Sequence, residues 1–109
     1  MIPHGTQIFV ALEPIDMRYS FDRLSGIARE TSGYDARGGA MFVFFGRRRD
    51  AVKVLFFDGT GMCVFYKRLD RSTFRVPYFP AGATHVELSD EMLEALLDGL
   101  DVPVTLSVH

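Results

Sequence analysis

Apolar residues recur from Met17 as Met17, Phe21, Leu24 and Ala28, with Ile27 beside them, which is the spacing of one buried stripe on an α-helix. Asp16 stands before that stripe as its N-cap, and Gly33 marks its end. Upstream, Gln7 to Leu12 is rich in β-formers and is closed by Glu13 and Pro14, predicting a short first strand. Downstream, three β-rich runs follow in close order: Met41 to Phe45, Ala51 to Phe57 and Met62 to Leu69. Their connectors, Gly46 to Asp50 and Asp58 to Gly61, have hairpin lengths. Links this short join only antiparallel neighbours, because a parallel pair needs a crossover of about a dozen residues or more. The centre of the chain is therefore predicted as an antiparallel β-meander.

Thr73 to Val76 predicts one more short strand, after which Pro77, Pro80 and Gly82 interrupt regular structure. A second helix is predicted from Ser89, its cap. Asp90 and Glu91 suit the positive end, and Met92, Leu93, Leu96, Leu97 and Leu100 form the buried face. Pro103 to Val108 reads as a terminal strand or a tail. The expectation is an α+β fold in a single domain spanning 1–109, an antiparallel meander sheet with two packed helices, and 102–109 as a tail.

The hairpin after Phe57 carries the most geometry. With Gly59 and Thr60 at its tip, Asp58 faces Gly61, and alternate residues share a face. One face holds Val52, Val54, Phe56, Cys63, Phe65 and Leu69, with Lys67 near the end, and reads as core. The other mixes Ala51, Lys53, Leu55, Phe57, Met62, Val64, Tyr66 and Arg68, and reads as open to a partner.

Composition changes this picture little: 48% hydrophobic, 24% charged and 13% aromatic over 109 residues is a globular balance. Charge changes it more. The formal net charge of −2 hides two opposed blocks. Residues 47–75 carry eight basic and three acidic side chains (net +5), whereas residues 76–109 carry no basic and six acidic ones (net −6). One cysteine, Cys63, excludes an internal disulfide and any multi-thiolate metal site. The longest stretch free of acids, Lys and Arg runs from Met1 to Leu12, short of a membrane span, and no basic-then-apolar leader precedes it. The expectation is a soluble, cytoplasmic protein with no membrane partner.

Ten of the fourteen aromatic residues lie between Phe42 and Phe79, interleaved with the basic block. Rings stack on bases, and cations release counterions from phosphates, so this combination suits nucleic acid. Arg47, Arg48 and Arg49 are adjacent on a hairpin tip, where three guanidinium groups repel one another unless an anion is near. The candidate nucleic-acid-binding residues are Arg47, Arg48, Arg49, Lys53, Lys67, Arg68 and Arg71. His4, His85 and His109 lie far apart, and no nucleophile elbow, phosphate loop or zinc motif is present. Asp16, Asp22, Asp50 and Asp58 could converge on a metal as in a metal-dependent nuclease, but each has a simpler role. Asp16 is a cap, Asp22 pairs with Arg18 on one helix face, and Asp50 and Asp58 form turns. No catalytic residue, metal or cofactor is assigned.

Gly46 to Asp50, then Val52 to Gly59, Gly61, and Phe65 to Arg71 with Phe74 and Pro77, resemble the accessory protein of the insertion sequence 66 transposon family, the product of the second open reading frame. Asp16, Met17 and Arg18 with Phe21, Asp22 and Leu24 look like that family's first helix motif. Leu88, Ser89, Leu96, Leu97, Gly99 and Leu100 look like its closing helix. The likeness spans roughly Met1 to Asp101. The family commonly carries a tryptophan pair in place of Phe56 and Phe57, an arginine in place of Phe45 and a glycine in place of Arg23.

The resemblance implies a bacterial accessory protein that acts in transposition beside a separate transposase, and it implies no known reaction; the expectation is a non-enzymatic protein. Together with the basic aromatic hairpin, it leads to an expected partner set of element-end DNA, the transposase of the same element, and a second copy as homo-oligomer. The competing reading is a protein-interaction module that docks the transposase or another copy without touching DNA.

Overall fold

The computed structural model describes residues 6–101, so the terminal strand or tail expected at Pro103 to Val108 lies outside the described residues. Strand β1 (Ile8–Ala11) leads into helix α1 (Phe21–Ser32), and a 3-10 turn (Ala36–Gly38) returns the chain to β2 (Met41–Phe45). The strands β3 (Ala51–Phe57) and β4 (Met62–Arg68) follow, then β5 (His85–Leu88) and helix α2 (Asp90–Leu97). The five strands form one sheet in the order β4-β3-β2-β1-β5.

The expected α+β class and the meander are present. β2, β3 and β4 are antiparallel neighbours, with Val43 opposite Val54 and Phe56 opposite Cys63. The tip is as read from the sequence, the Asp58 amide donating to Gly61 O at 3.1 Å. The sheet as a whole is mixed, because β1 runs parallel to β2, with Phe9 opposite Phe42. The chain can only make that pairing through a crossover, and α1 supplies it.

Alternation along each strand divides two cores. Ile8, Val10, Val43, Phe45, Val52 and Val54 face α2, meeting Leu93 and Leu96. Phe9, Ala11, Phe42, Phe44 and Leu55 face the opposite way and meet Leu24 and Ala28 of α1. The face of β3 carrying Ala51, Lys53 and Leu55, expected to be open to a partner, is instead covered, with all three residues buried. The reason is α1 itself: its Leu24 and Ala28 stripe needs an apolar surface, and this face provides it.

Three local expectations are also corrected. α1 begins at Phe21 and not at Met17, because the Asp16 carboxylate accepts from the Arg18 amide at 2.9 Å in a turn rather than capping a helix. Thr73 to Val76 is irregular rather than a strand. Its Phe74 amide donates to Arg49 O at 2.7 Å, outside any ladder, and the ring plugs the core beside Phe45. Leu100 lies beyond α2 and is exposed. Two other helix signals hold, Gly33 ending α1 at φ +80° and Ser89 Oγ accepting from the Met92 amide, whereas Phe21 of the expected buried stripe is 44% exposed.

Phe74 is therefore the anchor of a long irregular connection and is 2% exposed. Phe74→Ala is expected to cost about 3–4 kcal/mol, seen as a lowered urea midpoint at unchanged slope. A cost below about 1 kcal/mol would mean that the connection is held by something else.

Candidate nucleic-acid interface

Gly46 ends β2 and starts the arginine hairpin. A Cβ there would lie 2.9 Å from Met17 Cγ, so glycine leaves room for the Met17 side chain where the Ile15 to Arg18 turn meets the hairpin. Ile15 bridges Gly46, and its amide donates to Phe45 O at 2.8 Å. The result is a cleft of about 570 Å³ between the turn and the hairpin, lined by Arg18, Arg47, Arg48 and Arg68, with Asp16 and Asp50. Four arginines against two aspartates leave it a formal charge of +2.

The hairpin backbone is tied from three sides. Arg49 N donates to Gly46 O at 3.0 Å, Leu69 N donates to Asp50 O at 2.8 Å, and Arg49 O accepts from Phe74. Arg49 holds a left-handed φ of 59°, a conformation that costs a non-glycine residue about 1–2 kcal/mol, and these contacts keep it there. The tip is thereby held in one backbone conformation.

Asp16 organises the opposite wall. Its carboxylate accepts Arg18 Nε at 3.1 Å and Nη2 at 2.7 Å, a two-pronged pair on an exposed arginine. These bonds from the Arg18 guanidinium, then the Arg18 amide, hold the Asp16 carboxyl down at about 2. Arg47 across the cleft adds a smaller pull in the same direction.

The candidate cations fall into three placements. Arg47, Arg48, Arg68 and Arg71 are exposed and make no ion pair with a described residue, and the first three converge on the cleft. Arg49 is half-buried and outside it. Lys53 lies apart from the cleft and is only 7% exposed. Its ammonium donates to Tyr19 O at 2.7 Å and lies 5.1 Å from the centre of the Tyr66 ring. Lys67 is likewise committed, donating to Leu97 O at 2.7 Å. α2 has no basic residue in its own last turn, so Lys67 supplies the positive charge that its C-terminal carbonyls favour.

Arg18 is the cleft residue that sequence reasoning missed, having been paired with Asp22 on a helix that starts too late to include it. Its signal was the short Asp16 to Arg18 spacing, which fits a turn as well as a helix start. Among the described residues no group of three His, Cys, Asp or Glu side chains is placed to hold a metal. Asp16 and Asp50 share the cleft, whereas Asp22 and Asp58 do not line it. No helix of the described residues is long and apolar enough to cross a membrane.

Fold and cleft together define a small α+β protein, a mixed sheet between two helical layers with an arginine-lined concavity beyond the end of β2. The chain belongs to the IS66 Orf2-like family, whose model, described as IS66 Orf2 like protein, matches residues 6–105. It is similar to the uncharacterized protein y4hO of Sinorhizobium fredii, at 37% identity over 93% of this chain and 88% of that protein. Uncharacterized protein y4jC of the same organism is 33% identical over 89% of this chain and 81% of its own length. No solved structure matches the chain. The family gives the chain an accessory role in transposition and is not a known enzyme class.

Two measurements check this assignment of roles. Carbon-detected NMR titration should place the Asp16 midpoint at about 2, and Arg18→Ala should return it toward 3.8. Because folding lowers this pKa, the contribution of the turn is complete above the unfolded value and is lost as pH falls from about 4 toward 2. A midpoint near 3.8 in the unmodified protein would contradict the pairing. Lys53→Met should lower stability by about 1–2 kcal/mol through the lost bond to Tyr19 O, with polyanion affinity unchanged. A drop in affinity without a drop in stability would return Lys53 to the surface.

Proposed function

We propose that this protein assists transposition by holding the phosphate backbone of element-end DNA in the arginine cleft. The observation that carries the reading is convergence. Arg47, Arg48 and Arg68, from a hairpin tip and a neighbouring strand, reach one concavity with no ion pair to a described residue, and of the two acids that line it, Asp16 is occupied by Arg18 while Asp50 leaves the cleft still net positive. Guanidinium groups held together without counter-charges are stabilised by an incoming phosphate, which each can grip through two parallel hydrogen bonds.

Arg47, Arg48 and Arg68 are the primary contacts in this reading. Arg18 supports them from the opposite wall, and Arg71, exposed three residues beyond Arg68, extends the track. Arg49 acts through its backbone by orienting the tip, and Lys53 and Lys67 hold the scaffold. Contact of this kind gives affinity and position, and discrimination between sequences falls to the transposase or to DNA shape.

Fluorescence anisotropy with a labelled element-end duplex tests the proposal. Log affinity should fall with log salt at a slope of about −3, the value for three to four neutralised phosphates. Arg47→Glu with Arg48→Glu should weaken binding more than about 10-fold and flatten that slope by about two. A salt-independent signal, or unchanged affinity in the double variant, would overturn the reading.

A further inference from the structure

The sheet has two edges, β4 and β5, and they differ in kind. β5 is four residues long and carries His85 and Glu87. β4 is seven residues long, and from Met62 to Tyr66 it contains neither a charge nor a proline. Soluble sheets normally blunt an edge with charge, proline or short length, and over this stretch β4 has none of the three. Phe65 and Tyr66, on opposite faces of the strand, are each 45% exposed.

The register shows which backbone groups are open. Asp58 bonds to Gly61 at one end of the β3 and β4 ladder, and Leu69 bonds to Asp50 at the other. Alternation between these ends makes Phe56 with Cys63, Val54 with Phe65, and Val52 with Lys67 the hydrogen-bonded pairs. The amides and carbonyls of Met62, Val64, Tyr66 and Arg68 therefore point away from β3, and no backbone bond to a described residue satisfies them.

We propose that β4 pairs antiparallel with β4 of a second copy about a two-fold axis at Phe65, joining two five-stranded sheets into one. Phe65 is the midpoint of Met62–Arg68, so this register is the one that pairs the whole strand. It sets Val64 opposite the second copy's Tyr66, and Met62 opposite its Arg68. Lys67 then faces Cys63. Sliding the strands toward their C-termini would instead place Lys67 and Arg68 against their own copies, a like-charge contact.

Charge and shape favour the same register. Antiparallel pairing carries the exposed Asp58 turn of each copy toward the basic end of the other, near Arg68 and Arg71. The Asp58 carboxylate stays on the Thr60 and Gly61 amides, so this is an attraction between strand ends and not an ion pair. The two Phe65 rings meet as a non-hydrogen-bonded pair, the closer of the two cross-strand geometries. On that face Phe65 borders an apolar groove of about 470 Å³ lined by Val54, Phe56, Leu93 and Leu97, so the partner's ring arrives at the groove's mouth.

The experiment uses the full chain without nucleic acid in about 0.5 M salt, so that its outcome is independent of the cleft. Sedimentation equilibrium should give twice the 12.3 kDa chain mass at micromolar concentration, and Phe65→Lys should give the monomer with an unchanged circular dichroism spectrum. Phe65→Cys combined with Cys63→Ser should form a disulfide-linked dimer on mild oxidation, because such a pair has Cα atoms about 4.5 Å apart. Thr60→Cys in the same background, at the tip, should not. A monomeric wild-type chain, or a dimer that survives Phe65→Lys while Phe65→Cys fails to cross-link, overturns the proposal. So does a monomer that becomes a dimer only when residues 102–109 are deleted, since the edge would then belong to the chain's own terminus.

Discussion

The run Met41 to Phe45 has no polar residue, so β2 must be buried on both faces, and the rest of the molecule is arranged around that requirement. Phe42 and Phe44 face one way, Val43 and Phe45 the other, and all four are at most 3% exposed. A sheet with two apolar faces needs two covering layers. α1 makes one through Leu24 and Ala28, while α2 and the Phe74 connection make the other. The parallel crossover from β1 to β2 follows, because a helix on one face is the economical way to connect parallel neighbours. The arginines appear just beyond Phe45, where the covering layers end and water is available.

The same constraint sorts the cations. Lysines on β3 and β4 lie within the covered part of the sheet, so each must end on a carbonyl: Lys53 on Tyr19, at the approach to α1, and Lys67 on Leu97, at the end of α2. Both are ties between the sheet and a layer. Arg47 and Arg48 lie at the hairpin tip and Arg68 at the end of β4, with exposed head groups that no described acid pairs; Arg68 Nη2 donates to the Tyr66 hydroxyl at 3.2 Å, which leaves its other N–H groups to meet an anion. The excess of basic charge in residues 47–75 is therefore part scaffold and part surface.

Much of this was legible in the residues, and the rest was not for identifiable reasons. The meander strands and the Asp58 to Gly61 tip were readable because hairpin length and turn chemistry are local. Coverage of the Lys53 face was not, since a lysine in an alternating strand signals solvent unless a distant carbonyl receives it. The four residues of β5, His85–Leu88, mix polar and apolar types, and their pairing with Ile8–Ala11 is a contact across the whole chain. Phe74 looked like strand because its neighbours favour β structure, but its amide is taken by Arg49 O. In the cleft, the arginine hairpin was plain, whereas Arg18 required knowing that Gly46 admits Met17. The family likeness was visible in the linked motifs and is shown by the match over residues 6–105.

The proposed arginine cleft is tested most directly by asking whether, and where, element-end DNA touches the protein. Titration of isotope-labelled protein with element-end duplex, followed by backbone amide and arginine Nε resonances, maps that surface without mutation. The cleft predicts shifts concentrated on Arg18, on Gly46 to Ala51 and on Arg68, with the Lys53 and Lys67 environments nearly still. Shifts centred on α2 or on the outer edge of β4, or none at saturating DNA, would contradict it.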